Sequence, residues 1–133
     1  MVLSVSERTF TQEVLESPIP VVVKFWAPWC RLCRNIQPLL SQFQQDCNEQ
    51  IKLVEVNADQ NFKLSNAYRL TTLPTLILIE EGKVLHRLDS FCAMDDLRLG
   101  LEEIRKSYTH RRKTYAGVGS GALVSADQNS LSV

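Results

Sequence analysis

The stretch Trp26-Ala27-Pro28-Trp29-Cys30-Arg31-Leu32-Cys33 contains two cysteines separated by two residues, and the predicted helices and strands are arranged around it. A mostly apolar run over residues 21–25 leads into it, and a polar stretch with apolar residues at helical spacing leads out. Apolar, β-branched runs favour buried strands, whereas apolar residues recurring every three or four positions favour helices. The cysteines are therefore predicted to lie where a strand ends and a helix begins, with Cys30 at the helix start and Cys33 one turn inside.

The position of Cys30 at a helix start predicts a reactive thiol. Free N–H groups and the helix dipole favour an anion at that end, so the pKa of Cys30 should lie below that of a free thiol. Two cysteines with two residues between them can also close a small disulfide ring. The pair is therefore predicted to act as a dithiol switch.

Length and composition bound the class of protein. A chain of 133 residues with 44% hydrophobic and 23% charged residues is predicted to form one globular domain. Its net charge of zero argues against a nucleic-acid binder. The charge is uneven, because residues 1–104 carry 10 basic and 14 acidic side chains whereas residues 105–133 carry 5 and 1.

The chain shows neither a signal peptide nor an apolar run of the ~18 residues that a membrane span needs. No membrane partner is therefore predicted, and a cytoplasmic location is expected. Four cysteines are too few and too irregular for a disulfide framework in a chain of this size. In a reducing compartment, two cysteines at this spacing indicate catalysis or metal binding.

Helices and strands are predicted to alternate along residues 1–108. Helices are predicted at residues 9–16, 30–47, 59–68 and 94–108, with Pro38 kinking the second. Strands are predicted at residues 21–26, 52–57, 76–79 and 84–88, and a turn over residues 80–83 joins the last two as a hairpin. The fold class is α/β, a central mixed sheet with helices on both faces. The basic and then Gly/Ser-rich residues 109–133 are predicted to form a flexible tail after the domain.

Several separated segments resemble the thioredoxin family, over residues 4–108. Residues 25–30 with Cys33 match the family's approach to its active site, and residues 57–61 match the segment after its third strand. Leu73-Pro74-Thr75 matches its cis-proline loop, and Gly82 matches its hairpin turn. The resemblance implies a thioredoxin fold over residues 1–108, and Leu73–Pro74 is a candidate cis peptide bond.

The resemblance implies thiol–disulfide exchange with protein substrates. Cys30 as a thiolate would attack the substrate disulfide, and the more buried Cys33 would resolve the mixed disulfide. Trp29 would flank the site, Pro74 would lie against the sulfurs, and the backbone of Leu73 would pair with an extended substrate segment. The electron donor would be a thioredoxin reductase or another reductant. A monomer without cofactor or metal is expected.

The residues between the cysteines depart from the family pattern. Arg31 and Leu32 stand where typical members have glycine and proline, in the helix turn that tunes which redox state is favoured. We expect the Arg31 cation to stabilise the Cys30 thiolate and so to make the protein a better oxidant. The alternative is a solvated arginine with little effect.

The buried charge near Cys33 also departs from the family pattern. Lys24 stands where typical members carry an aspartate, and Glu55 stands where they carry a lysine. A charge-swapped Lys24–Glu55 pair across neighbouring strands is predicted. Glu55 would then take over proton transfer with Cys33, or Lys24 would lower the pKa of Cys33 directly. The alternative is that both side chains reach solvent and never meet.

Three other interpretations compete with this one. A zinc site on Cys30 and Cys33 lacks further ligands at a recognisable spacing. Cys47 and Cys92 could be regulatory or form a second disulfide, but isolated cysteines of this kind are more often small buried hydrophobes. A redox sensor or adaptor that docks partners with little turnover is the alternative to an enzyme, although retention of both active-site cysteines and Pro74 favours the enzyme.

Overall fold

The computed structural model describes residues 2–89 and 94–119, with side chains as far as residue 107, and five strands in this part of the chain form one sheet. The strands are β1 (Leu3–Ser4), β2 (Val21–Trp26), β3 (Lys52–Asn57), β4 (Thr75–Glu80) and β5 (Lys83–Leu88). Their order is β1-β3-β2-β4-β5. β1, β3 and β2 run parallel, whereas β4 and β5 are antiparallel to their neighbours. The predicted mixed sheet is confirmed.

Helices connect the strands and cover the sheet. A turn of π-helix spans Thr11–Leu15, followed by α1 (Arg31–Asn35), α2 (Gln37–Asp46), α3 (Phe62–Ala67) and α4 (Met94–Gly119). The helix predicted over residues 30–47 is divided at Ile36, and Pro38 lies in the first turn of α2. Proline has no N–H to donate to the carbonyl one turn earlier, which explains why the axis breaks there.

The last helix is longer than predicted. α4 continues to Gly119, so the helix end expected near residue 108 is wrong. No proline interrupts residues 105–119, and most of these residue types are compatible with a helix. Residues 120–133 lie outside the described part of the chain, and the domain boundary drawn at residue 108 stays a prediction.

The sheet buries a separate apolar cluster on each face. On one face, Val22, Leu53 and Leu78 pack with side chains from α2 and α4. On the other face, Val23 and Phe25 pack with residues from the π-helical turn and with partly buried side chains of the α3 region. Successive strand residues point to opposite faces, so the all-buried pattern of β2 from Val21 to Phe25 reflects a central strand covered on both sides.

The hairpin between β4 and β5 closes as predicted. Glu80 pairs with Lys83, which leaves Glu81 and Gly82 as the two-residue loop. Both loop residues have positive φ, 53° and 79°, which matches the twist of a tight hairpin. Glycine adopts this conformation without steric cost, so Gly82 suits the second position.

Candidate active site

Cys30 and Cys33 form a disulfide at the start of α1. Their Cα atoms are 5.3 Å apart, and the backbone N–H of Cys33 donates to Sγ of Cys30 over 3.1 Å. Cys30 occupies the N-cap position of α1 and is 5% exposed, whereas Cys33 lies inside the helix and is 0% exposed. The predicted junction of strand and helix is confirmed, and the more exposed of the two cysteines is the one at the start of the helix.

Backbone and side-chain hydrogen bonds hold the loop between β2 and α1. The N–H of Cys30 donates to the carbonyl of Ala27 over 3.0 Å. Nη1 of Arg34 reaches back from α1 to the carbonyl of Pro28 over 2.7 Å. The N–H of Ala58, which follows β3, donates to the carbonyl of Trp26 over 2.8 Å. The loop is therefore tied both to the helix that follows it and to the neighbouring strand.

Trp29 is the exposed aromatic residue beside the disulfide. Its side chain is 69% exposed, and its Nε1 donates to Oδ2 of Asp59 over 3.1 Å. Asp59 is itself positioned by Oδ1 of Asn57, which accepts from its backbone N–H. Asp59 was not predicted as a site residue, and the only signal was its place in the segment 57–61 that matched the family.

The cis peptide bond lies at the same end of the sheet as the cysteines. The Leu73–Pro74 bond is cis, as predicted, and Pro74 is buried. Thr75 pairs with Phe25 across β4 and β2, which places residue 74 beside the end of β2 that leads into Trp26. Oγ1 of Thr75 donates to the carbonyl of Thr72 over 2.7 Å and stabilises the loop. The binding roles of Trp29, Leu73 and Pro74 remain predictions.

A cleft lies next to Cys33. It is lined by Val2, Lys24, Trp26, Cys33, Arg34, Gln37 and Glu55. The register of β2 and β3 explains why Lys24 and Glu55 both line this cleft. Val22 pairs with Leu53 on the sheet face covered by α2, and Lys24 and Glu55 pair two residues further along the same face. Among the described residues, Nε1 of Trp26 is a buried side-chain polar atom without a protein partner.

Lys24 is buried in this cleft and does not pair directly with Glu55. It is 4% exposed, and its Nζ donates to Oε1 of Gln37 over 2.8 Å. Lys24 and Glu55 are cross-strand neighbours, but no salt bridge joins them in the part of the chain that the structure describes, so the predicted charge-swapped pair is corrected to neighbours without an ion pair. Burial lowers the pKa of Lys24 below its ordinary 10.5, and the nearby charge of Glu55 opposes that shift. The charges interact through space while a helix residue supplies the hydrogen bond.

The other predicted residues differ in exposure. Arg31 is exposed, and Leu32 is partly buried against the core cluster beneath α2. Cys47 is a buried free thiol, and burial is the main cause of its raised pKa, as expected of a small core residue. Cys92 lies outside the described residues.

Neither a metal cluster nor a membrane-spanning helix is found in the described part of the chain. No group of three or more His, Cys, Asp or Glu side chains within it could hold a metal ion. Among the helices described, none combines the length and the apolar character needed to cross a bilayer.

Comparison with known proteins identifies the family. The thioredoxin family model matches residues 1–103. Thioredoxin 1 of Synechococcus elongatus is 44% identical over 80 residues, which are 60% of this chain and 75% of that protein. Thioredoxin 1 of Nostoc sp. is 42% identical over 79 residues, or 59% of this chain and 74% of the relative. The thioredoxin of Rickettsia prowazekii is 31% identical over 103 residues, covering 77% and 89%.

The family model covers most of the chain, including β2, the Cys30–Cys33 disulfide and the cis bond before Pro74. The geometry of the site is consistent with the chemistry of this family, because a dithiol at a helix N-terminus can undergo thiol–disulfide exchange. The chain belongs to the thioredoxin family and is a thiol–disulfide oxidoreductase.

Proposed function

We propose that Cys30 is the nucleophile and Cys33 the resolving cysteine in the reduction of protein disulfides. The observation that carries this assignment is the Cys30–Cys33 disulfide with Cys30 at the N-cap of α1 and Cys33 fully buried behind it. The Cys30 thiolate attacks one substrate sulfur, and the other leaves and takes a proton. Cys33 then loses its proton and attacks Sγ of Cys30, which releases the second substrate sulfur. The substrate gains two electrons and two protons, and the protein becomes the disulfide.

The substrate is proposed to bind across the face that carries Trp29 and the cis-proline loop. Trp29 supplies an exposed ring beside Cys30, and Asp59 holds the indole in one orientation. The backbone of Leu73 would pair with an extended segment of the substrate, and the buried ring of Pro74 would support it. This binding mode contacts the substrate backbone rather than particular side chains, so it would accept disulfides in many different proteins.

Four residues are proposed to tune the redox balance. The exposed Arg31 cation favours the Cys30 thiolate and therefore the reduced protein, and Leu32 anchors the first turn of α1 against the core. Lys24, from its place in the cleft, favours the Cys33 thiolate. Glu55 opposes the loss of the Lys24 charge, or acts itself as the proton acceptor for Cys33.

The cellular setting is proposed from the family. We expect a monomer in the cytoplasm, with a thioredoxin reductase or another reductant as electron donor. The Arg31-Leu32 dipeptide changes the surface that such a donor must approach.

Catalysed reduction of insulin disulfides by dithiothreitol tests the proposed function. The protein is expected to accelerate precipitation of the reduced insulin chains, and Cys30→Ser is expected to lose that acceleration because the attacking sulfur is absent. Cys47→Ser, which alters a thiol outside the site, serves as the control and should retain it. A folded wild-type protein that gives no acceleration would contradict turnover and favour the adaptor.

Replacement of Arg31 by glycine is expected to make the reduction potential more negative. Loss of the cation in the first turn removes an interaction that favours the Cys30 thiolate and the reduced form. The potential is measured by equilibration with glutathione. Arg31→Lys keeps the positive charge and should stay near wild type. A potential in Arg31→Gly that equals or exceeds that of wild type would refute the proposed effect.

The stability of wild type relative to Lys24→Met is expected to rise with pH. Burial lowers the folded-state pKa of Lys24 below 10.5, so between that lowered value and 10.5 the unfolded chain binds more protons than the folded one. Stability from this group therefore increases with pH across that window. Urea unfolding at several pH values measures it, with the exposed Lys63→Met as control. A pH-independent difference between wild type and Lys24→Met would count against the burial effect.

A further inference from the structure

We propose that Gln37 is a positioning residue for Cys33, because it holds the Lys24 amine in the cleft and so favours the Cys33 thiolate during exchange. The inference rests on the exchange roles proposed above for Cys30 and Cys33. Gln37 acts through Lys24 rather than on the reacting sulfurs.

The contact that carries the inference is a direct, partly buried hydrogen bond between two side chains. Nζ of Lys24, in a residue that is 4% exposed, donates to Oε1 of Gln37 over 2.8 Å. Gln37 is the first residue of α2 and follows Cys33 by four positions. Residues four apart on helical backbone lie on the same face, and both line the cleft with Lys24. One side chain of α2 therefore fixes the amine on the side of the sheet where Cys33 lies.

The charges around Lys24 explain why a neutral acceptor is suited to this position. Within the described residues, Glu55 of β3 and Cys33 and Arg34 of α1 are the titratable groups that line the cleft with it. Burial disfavours the ammonium form of Lys24, and Glu55 favours it. A carbonyl acceptor strengthens the ammonium form through a charge-assisted hydrogen bond. It does so without adding a negative charge, which would oppose a thiolate at Cys33.

The effect falls on the second half of the exchange. When a substrate is joined to Cys30, the Cys33 thiol must release its proton, to Glu55 or to water in the cleft, before its sulfur can attack Sγ of Cys30. The bond between Cys30 and the substrate then breaks, and the departing substrate thiolate takes up a proton. A cation held in the cleft lowers the pKa of Cys33 and raises the fraction of attacking thiolate.

A symmetric disulfide of a dye-labelled cysteine peptide separates the two halves of the reaction. Reduced protein in excess releases one labelled peptide when Cys30 attacks and the second when Cys33 resolves the mixed disulfide. Both rates are followed by rapid mixing over a range of pH in wild type, Gln37→Met, Lys24→Met and the double variant. Gln42→Met is the matched control, since Gln42 lies on the exposed side of the same helix.

In Gln37→Met the pH midpoint of the second release is expected to rise by about 0.5–1 pH unit. The rate of the second release at neutral pH is expected to fall about three- to tenfold. The first release and the Gln42→Met control should match wild type. In the Lys24→Met background, Gln37→Met should cause no further shift, because the residue it positions is gone.

Two results would overturn the inference: an unshifted midpoint in Gln37→Met, or an equal shift with and without Lys24. Loss of the first release in the wild-type protein is a different failure, because it would refute the exchange role of Cys30 itself. Urea unfolding of each variant shows that the compared proteins are folded.

Discussion

Replacement of Cys33 by serine is expected to leave the protein covalently joined to its substrates and to abolish turnover. Cys30 keeps its place at the N-cap of α1 and can still attack, but the buried position that resolves the mixed disulfide then holds a hydroxyl. A hydroxyl at neutral pH is a far weaker nucleophile than a thiolate. Incubation of the variant with a cell extract, followed by non-reducing electrophoresis and mass spectrometry, should reveal adducts that dithiothreitol releases.

The reciprocal variant provides the control for this trap. Cys30→Ser leaves the buried Cys33 with little access to a protein substrate, so it should form few or no adducts. The Cys30→Ser, Cys33→Ser double variant reports adducts that arise through the other cysteines. Equal trapping by Cys30→Ser and Cys33→Ser would contradict the assignment of nucleophile and resolving cysteine.

Truncation of Phe25 to alanine is expected to lower the free energy of unfolding by about 3–5 kcal/mol. The side chain is 0% exposed and lies in the apolar cluster on one face of β2, with its ring centroid 5.9 Å from that of Tyr68. Its loss leaves a cavity in a central strand that is covered on both faces, where neighbours cannot easily collapse. Urea denaturation followed by fluorescence measures the change.

Phe62→Ala is the matched comparison for Phe25→Ala. Phe62 is 70% exposed at the start of α3, so its truncation should change stability by no more than about 0.5 kcal/mol. Similar losses in the two variants would show that β2 is not the buried centre of the sheet. The Phe25 result also concerns the site, because β2 leads directly into the loop that ends at Cys30.

Local patterns predicted four of the five strands, because each of the four is marked by residues close together in sequence, whereas the two-residue β1 was not predicted. The predicted bounds of β2 and β3 coincide with the observed Val21–Trp26 and Lys52–Asn57. The hairpin turn at Gly82 and the cis bond before Pro74 were also predicted, since glycine permits positive φ and a bond before proline can be cis. The end of α4 was not, because a change in composition does not by itself stop a helix.

The cysteine site could also be predicted from sequence, because its residues lie close together in the chain. A strand that runs into a helix places Cys30 at the helix start and Cys33 one turn later whatever the rest of the fold does, and the structure has this arrangement. The hydrogen bond from Trp29 to Asp59 joins residues 30 apart in sequence, so no local pattern announces it.

The strand-to-helix junction, the dithiol and the altered charges at Lys24 and Glu55 can all be predicted from the amino-acid sequence, because they depend on residue type and short spacing. The acceptor of the Lys24 hydrogen bond could not be predicted in this way, because it depends on how distant segments pack. Strand register sets Glu55 beside Lys24, but the packing of α2 over the sheet brings the Gln37 carbonyl to within 2.8 Å of Nζ. A polar side chain that is buried needs a hydrogen-bond partner, and the packing of distant segments determines which acceptor lies within reach.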